Sequence, residues 1–232
     1  MQVVWIKIVW VFTLLALLMG YPTGTMANPL NKWEISCGVD EGSIRRIKKT
    51  WEFRSSSSHC SHGFNERSEI SSESISPSQK GTYLFQAKIS MLSKSGQPFS
   101  IFQIHDGRKG CAPPLKLNVS ASGQFEIHSD IKTGEGESCK QLQLGKNGAR
   151  SVIRRDGTEQ LLEILVTFHG DATFDFTVKV DGKVELTGAY QPPDHEGIYK
   201  SEKFYFKHGV YAKNRFEYLL RSTDVSTRRV RQ

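Results

Sequence analysis

The 232-residue sequence lacks most of what would mark a helical, metal-dependent or membrane-spanning protein. After residue 27 no apolar run approaches the ~20 residues needed to cross a bilayer. None of the four cysteines, Cys37, Cys60, Cys111 and Cys139, belongs to a C-x-x-C pair, which removes the usual zinc and dithiol signatures. Helix-turn-helix, zinc-finger and aromatic RNA-binding patterns are missing, so nucleic acid is not the expected partner despite a formal charge of +7. There is no acidic calcium loop, no cluster of tryptophans of the kind many sugar-binding sandwiches use, and no internal repeat. Helical periodicity is scarce.

What is present begins with an export signal. Lys7 is the only charge in residues 1–27, the apolar run Ile8 to Met19 follows, and Thr25-Met26-Ala27 ends in small residues. Cleavage is expected before Asn28. Residues 28–232 then form a single secreted or periplasmic domain, a monomer with no stable membrane association. An oxidising compartment makes disulfides the expected state of the cysteines, with their pairing open. His59, Cys60 and His62 are spaced closely enough for a metal, but their Ser-rich setting suits a loop pinned by a disulfide better, and no metal site is expected. In an exported protein the positive charge points to an acidic glycan as partner.

Short runs of β-branched and aromatic residues alternate with polar ones between turn residues, the pattern of an all-β chain. The clearest hairpin runs from Thr173 to Val180, turns at Asp181-Gly182 and returns through Lys183 to Leu186, with Phe174, Phe176, Val178 and Val180 on one face. Further strands are expected over Ile44 to Phe53, Arg67 to Ser71, Thr82 to Met91, Phe99 to His105, Leu115 to Val119, Gln124 to His128, Leu161 to Phe168, Lys203 to Tyr211 and Phe216 to Ser222. So many strands in one domain imply two packed antiparallel sheets. The terminal Arg228-Arg229-Val230-Arg231 reads as a frayed basic tail.

Three segments place polar groups at alternating strand positions, which sends them to one face of a sheet. Arg67 and Glu69 oppose Ile70; Gln103 and His105 oppose Phe102 and Ile104; Tyr205, Lys207 and Tyr211 oppose Phe206 and Val210. His208, on the core-facing parity, reads as a hydrogen-bonded structural residue. A sheet with an apolar inner face and Arg, Gln, His, Lys and Tyr outside reads as a polar groove.

These segments, R-S-E, Q-I-H and Y-F-K-x-G-V-Y in this order, resemble the three motifs of the alginate lyase family of jelly-roll polysaccharide lyases. Ser71, His208 and Ala212-Lys213-Asn214 depart from the family pattern. The resemblance implies a concanavalin-like β-sandwich jelly roll of two antiparallel sheets and cleavage of a 4-linked uronic-acid polymer, alginate first, by β-elimination without a cofactor. It assigns Arg67 and Gln103 to neutralising the uronate carboxylate, Tyr211 to taking the C5 proton and protonating the leaving oxygen, and His105 to a second base. Lys207, Tyr205 and Glu69 would contact substrate or hold those that do, Glu69 by pairing with Arg67. The alternatives are a glucuronan or glycosaminoglycan lyase, or a non-catalytic sandwich that binds acidic glycan. A glycoside hydrolase would need two opposed carboxylates, and Glu69 has no such partner in the motif strands.

Overall fold

The structure, a computed structural model, describes residues 28–230 apart from 37, 60–64, 137 and 195. The export signal and the expectations that rest on Cys37, Cys60 and His62 therefore lie outside the described residues. Among the described residues a 3₁₀ turn at Pro29–Asn31 precedes fifteen strands: β1 (Trp33–Ile35), β2 (Ile44–Ile47), β3 (Thr50–Arg54), β4 (Glu66–Ser72), β5 (Lys80–Leu92), β6 (Phe99–His105), β7 (Leu115–Val119), β8 (Phe125–His128), β9 (Asp130–Lys132), β10 (Cys139–Gln141), β11 (Asp156–His169), β12 (Phe174–Val180), β13 (Lys183–Tyr190), β14 (Tyr205–Ala212) and β15 (Leu219–Val230). β1-β4-β14-β6-β7-β8 form one antiparallel sheet and β13-β12-β11-β5-β15-β3-β2 the other, with β9 and β10 as a separate hairpin. This is the expected jelly-roll sandwich.

Period-two alternation explains the packing. Phe85, Ala87, Ile89 and Met91 of β5 and Leu162, Ile164, Val166 and Phe168 of β11 point inward and are essentially fully buried. They meet Ile70, Phe102, Ile104, Leu117, Phe206 and Val210 from the other sheet. Phe85, Phe102 and Phe206 run as a chain of rings 4.9 and 5.2 Å apart across the interior. Each fully buried side chain of this kind contributes roughly 1.5–3 kcal/mol by leaving water. The Asp181-Gly182 turn has positive φ at both residues, 51° and 77°, as the sequence required.

Two expectations need correction. Ile44 to Phe53 is not one strand: β2 and β3 pair with each other through a turn at Lys48, whose φ is 55°. The basic C-terminus is not frayed through Val230, because Arg228, Arg229 and Val230 pair with Leu84, Tyr83 and Thr82 of β5 in the middle of the larger sheet. Among the cysteines, Cys111 and Cys139 form a disulfide that ties β10 to the loop after β6.

His208 has the structural character its parity implied. It is fully buried between the sheets. Its Nδ1 lies 3.0 Å from the Ile101 carbonyl, so Nδ1 carries the proton, and its Nε2 accepts from the Ser222 hydroxyl at 2.7 Å. Burial pushes its pKa down to about 4, against a smaller opposing effect of the Ile101 hydrogen bond.

Candidate active site

β14 is the centre of the site, flanked by β4 on one side and β6 on the other. The register sets Tyr211 beside Arg67 and Ser100, Gly209 beside Glu69, Lys207 between Ser71 and Gln103, and Tyr205 beside His105. All three motif segments therefore lie on one face, in adjacent strands. Six positions separate Tyr211 from Tyr205, about 20 Å along a strand. Tyr211 and His105 thus stand toward opposite ends of the cluster, with Gln103, Glu69 and Lys207 between them.

Parity alone keeps Tyr211 on this face but would turn Ser100, its neighbour in β6, inward with Phe102 and Ile104. β6 shifts register between Ser100 and Phe102 against β7, and β14 shifts against β6 between His208 and Tyr211. The extra residue, Ile101, turns inward and is fully buried, and Ser100 is left on the groove side, where its hydroxyl donates to Asn118. Gly209 sits in the same stretch with φ 140°; a Cβ there would lie 2.2 Å from the Ser68 carbonyl and 2.8 Å from the Glu69 Cα. Only glycine lets β14 approach β4 this closely.

Charge is concentrated here against the grain of burial. Arg67, Lys207 and Lys116 are 7%, 6% and 7% exposed, and Glu69 only 1%. Burial lowers the pKa of Lys207 and of Lys116, with Glu69 opposing in both cases. The Arg67 guanidinium lies 4.8 Å from the centre of the Tyr211 ring, and the Lys116 ammonium 5.9 Å from it. Lys116, of β7, is the Cα partner of Gln103 and was missing from the sequence-derived set. The signal for it was the Leu115-Lys116-Leu117-Asn118-Val119 alternation, which gave its face but not its neighbours.

A hydrogen-bonded chain crosses the site. Gln103 Nε2 donates to Glu69 Oε1 at 2.5 Å and His105 Nε2 lies 3.2 Å from Gln103 Oε1, while Arg67 Nε makes a longer ion pair beside the chain, 3.8 Å from Glu69 Oε2. The His105 ring stacks on Tyr205 at 5.2 Å with 22° between planes. Its pKa is pushed well below 6.5, first by burial and then by Lys207, Arg67, Arg108 and Lys116. Burial raises that of Tyr205. His105 is therefore a neutral imidazole and Tyr205 a neutral phenol around pH 7. Glu69 is one carboxylate among cations, with no second carboxylate across the groove in the motif strands. His59, weighed for a metal, instead meets Asp40 at 2.6 Å. A pocket of about 640 Å³ lined by Arg150, Arg155, Lys183 and Glu185 includes none of the motif residues. Asn118-Val119-Ser120, which has the form of an N-glycosylation sequon, begins on this face, with Asn118 held by Ser100 in mid-strand.

No family model and no curated protein matches the sequence. Solved structures do resemble it. The alginate lyase A1-II′, a member of polysaccharide lyase family 7, aligns over 88% of this chain and 96% of its own, with a TM-score of 0.58 and 13% identity. A polysaccharide lyase of family 18, aly-SJ02, covers 87% and 96% with a TM-score of 0.54 and 15% identity. The exolytic family 7 alginate lyase AlyA5 from Zobellia galactanivorans covers 88% and 96%, with a TM-score of 0.52 and 12% identity. At such identity the likeness is one of fold, and it extends over nearly the whole of each neighbour.

Proposed function

We propose that this protein is an exported polysaccharide lyase that cleaves a 4-linked uronic-acid polymer, alginate first, by β-elimination. The observation that carries the reading is the convergence of Arg67, Lys207, Gln103, His105 and Tyr211 on one sheet face, with the cations buried and the histidine neutral. The fold shared with alginate lyases supports it. The alginate lyase A1-II′ has been solved in complex with substrate after a histidine and a tyrosine were replaced, the two residue types proposed here for proton transfer.

In the proposed reaction the C5–H bond breaks, its electron pair forms the C4=C5 double bond, and the C4–O bond to the leaving sugar breaks. Negative charge accumulates on the uronate carboxylate as the proton leaves. Arg67 offers it a two-donor fork, Lys207 adds a point charge, and Gln103 has one amide hydrogen left after serving Glu69. Donors fixed where charge develops need no reorganisation when it appears. Tyr211 at one end takes the C5 proton and protonates the departing oxygen. His105 at the other end takes the proton of the epimer whose C5–H faces it, a task for which a neutral imidazole is required.

The test is the contrast between two variants on the best of alginate blocks, glucuronan, hyaluronan and heparin. Tyr211→Phe should lower turnover by ~10² or more while glycan binding persists. Gln103→Ala should weaken both. Absorbance of the unsaturated product reads the first and titration calorimetry the second. Full activity of Tyr211→Phe would sink the acid–base assignment, and wild-type protein that forms no unsaturated ends from any acidic polymer would leave a glycan-binding module in its place. The export half of the proposal is checked by the intact mass of secreted material, expected to start at Asn28.

A further inference from the structure

Gln103 can be turned only one way. Its amide touches a carboxylate on one side and an imidazole on the other: Glu69 Oε1 at 2.5 Å and His105 Nε2 at 3.2 Å. A carboxylate accepts and cannot donate, so the NH₂ group must face Glu69. The amide oxygen is then committed to the His105 side. A carbonyl oxygen also only accepts, so the group it meets, Nε2, must carry a hydrogen. A neutral imidazole has a single N–H, and the lone pair is left on Nδ1.

From this we infer that Glu69 is a positioning residue: acting through Gln103, it fixes His105 as the Nε2–H tautomer and makes Nδ1 the atom that accepts a proton. The inference rests on the proposed lyase reading for its purpose, since a base must present its lone pair to substrate, but not for its geometry. Glu69 is almost wholly buried, with Arg67 Nε 3.8 Å from its second oxygen, and its backbone is clamped against Gly209. Tyr205 stacked on the imidazole fixes the ring plane. Burial and the four surrounding cations, Lys207, Arg67, Arg108 and Lys116, keep the ring neutral, the only state in which a tautomer exists to be chosen.

The arrangement has a consequence for Glu69→Gln, a change that keeps size and shape. A glutamine at 69 can donate to the Gln103 oxygen. The Gln103 amide can then reverse, present an N–H to His105 Nε2 and drive the proton to Nδ1. A misplaced lone pair would remove the base without removing the imidazole.

Long-range proton–nitrogen correlation spectra of ¹⁵N-labelled protein without substrate, at pH 7, separate the two tautomers. The chain has seven histidines, and His105→Asn identifies the signal that belongs to this one. Wild-type protein is expected to show a protonated Nε2 and a bare Nδ1. Glu69→Gln should move His105 to the Nδ1–H form and cut turnover by ~10² with little change in KM, the scale of a lost general base. Gln103→Leu, which removes both polar ends of the bridge, should give a mixture of the two forms and serves if Glu69→Gln does not fold. A wild-type His105 in the Nδ1–H form overturns the inference. So does a tautomer that is unmoved in whichever of the two variants folds, whatever happens to turnover. If the tautomers behave as expected but wild type cleaves no acidic polymer, the proposed reaction fails while the relay stands.

Discussion

His105 and His208 lie on opposite faces of the same sheet, in neighbouring strands, and burial keeps both neutral, yet their surroundings differ in kind. His208 faces inward and uses both ring nitrogens: Nδ1 donates to the Ile101 carbonyl and Nε2 accepts from Ser222 of the opposite sheet, with Phe53 and Phe85 rings 5.8 and 5.1 Å away. Nothing remains on it for a ligand. His105 faces outward, uses one nitrogen on Gln103, stacks on the Tyr205 ring and is otherwise surrounded by cations. A buried polar group with every hydrogen-bonding atom satisfied fixes a fold. One with an atom left over, among buried charges that cost energy to place there, is the arrangement of a site awaiting an anion.

The comparison breaks most completely at Gly209, because both faces depend on how closely β14 lies against β4. Gly209→Ala places a methyl 2.2 Å from a backbone oxygen at φ 140°, and neither the oxygen nor the strand can yield cheaply. The expected cost exceeds ~3 kcal/mol, enough to remove much of the stability of a typical domain. Urea titration reads it directly. A loss under ~1 kcal/mol would mean that β14 is not seated as described.

Next in size is the inward face alone. The His208 pKa is about 4 folded against 6.5 as a free side chain, so between those values the unfolded chain binds a proton that the folded chain does not. Its contribution is complete above about pH 6.5 and is lost as pH falls toward 4, about 3 kcal/mol in all at 1.36 kcal/mol per unit. His105 titrates with the same sign. His208→Ala should therefore reduce, without abolishing, the fall in stability between pH 6.5 and 4, lower stability at pH 7 by roughly 1–3 kcal/mol for the lost hydrogen bonds, and change turnover by no more than a few-fold. Thermal melts across that range, paired with a lyase assay, check all three. An unchanged pH slope would show that the ring is not held neutral as inferred.

How much of this was legible beforehand follows from which interactions are local. Phe99 to His105 and Leu115 to Val119 are strands over the residues expected, and the core-facing parity of His208 was right, because alternation is a property of the strand itself. The β2–β3 turn was not visible because Lys48-Lys49 carries neither glycine nor proline; pairing imposed a positive φ on a lysine. The C-terminal arginines were misread because basic residues on an outward sheet face look in sequence like a solvated tail. Parity placed the motif residues on one face of their strands and the resemblance gave them expected roles, whereas Lys116 required the strand order β14-β6-β7, and order is set by packing across the whole sandwich. The Glu69–Gln103–His105 chain was hidden for the same reason: 34 positions separate Glu69 from Gln103.

Lys116 sharpens the comparison with the smallest change. It is a groove-face residue by position, yet burial destabilises its charged form as it destabilises that of His208. Function and stability should therefore pull in opposite directions there. Lys116→Met keeps the length and apolar stem while removing the charge, and because burial outweighs the attraction of Asp130 and Glu69 in lowering the lysine's pKa, the change relieves more than it gives up. The thermal midpoint should stay level or rise. Binding of an acidic polymer should weaken, by about three- to tenfold at low ionic strength, with the difference narrowing as salt screens the remaining cations. Titrations at two salt concentrations, beside a melting curve for each protein, measure both. A lower midpoint with unchanged affinity would make Lys116 a structural member of the sheet, on the side of His208; the opposite pair of results places it with Arg67 and Lys207 as a cation held out of water for the substrate's carboxylate.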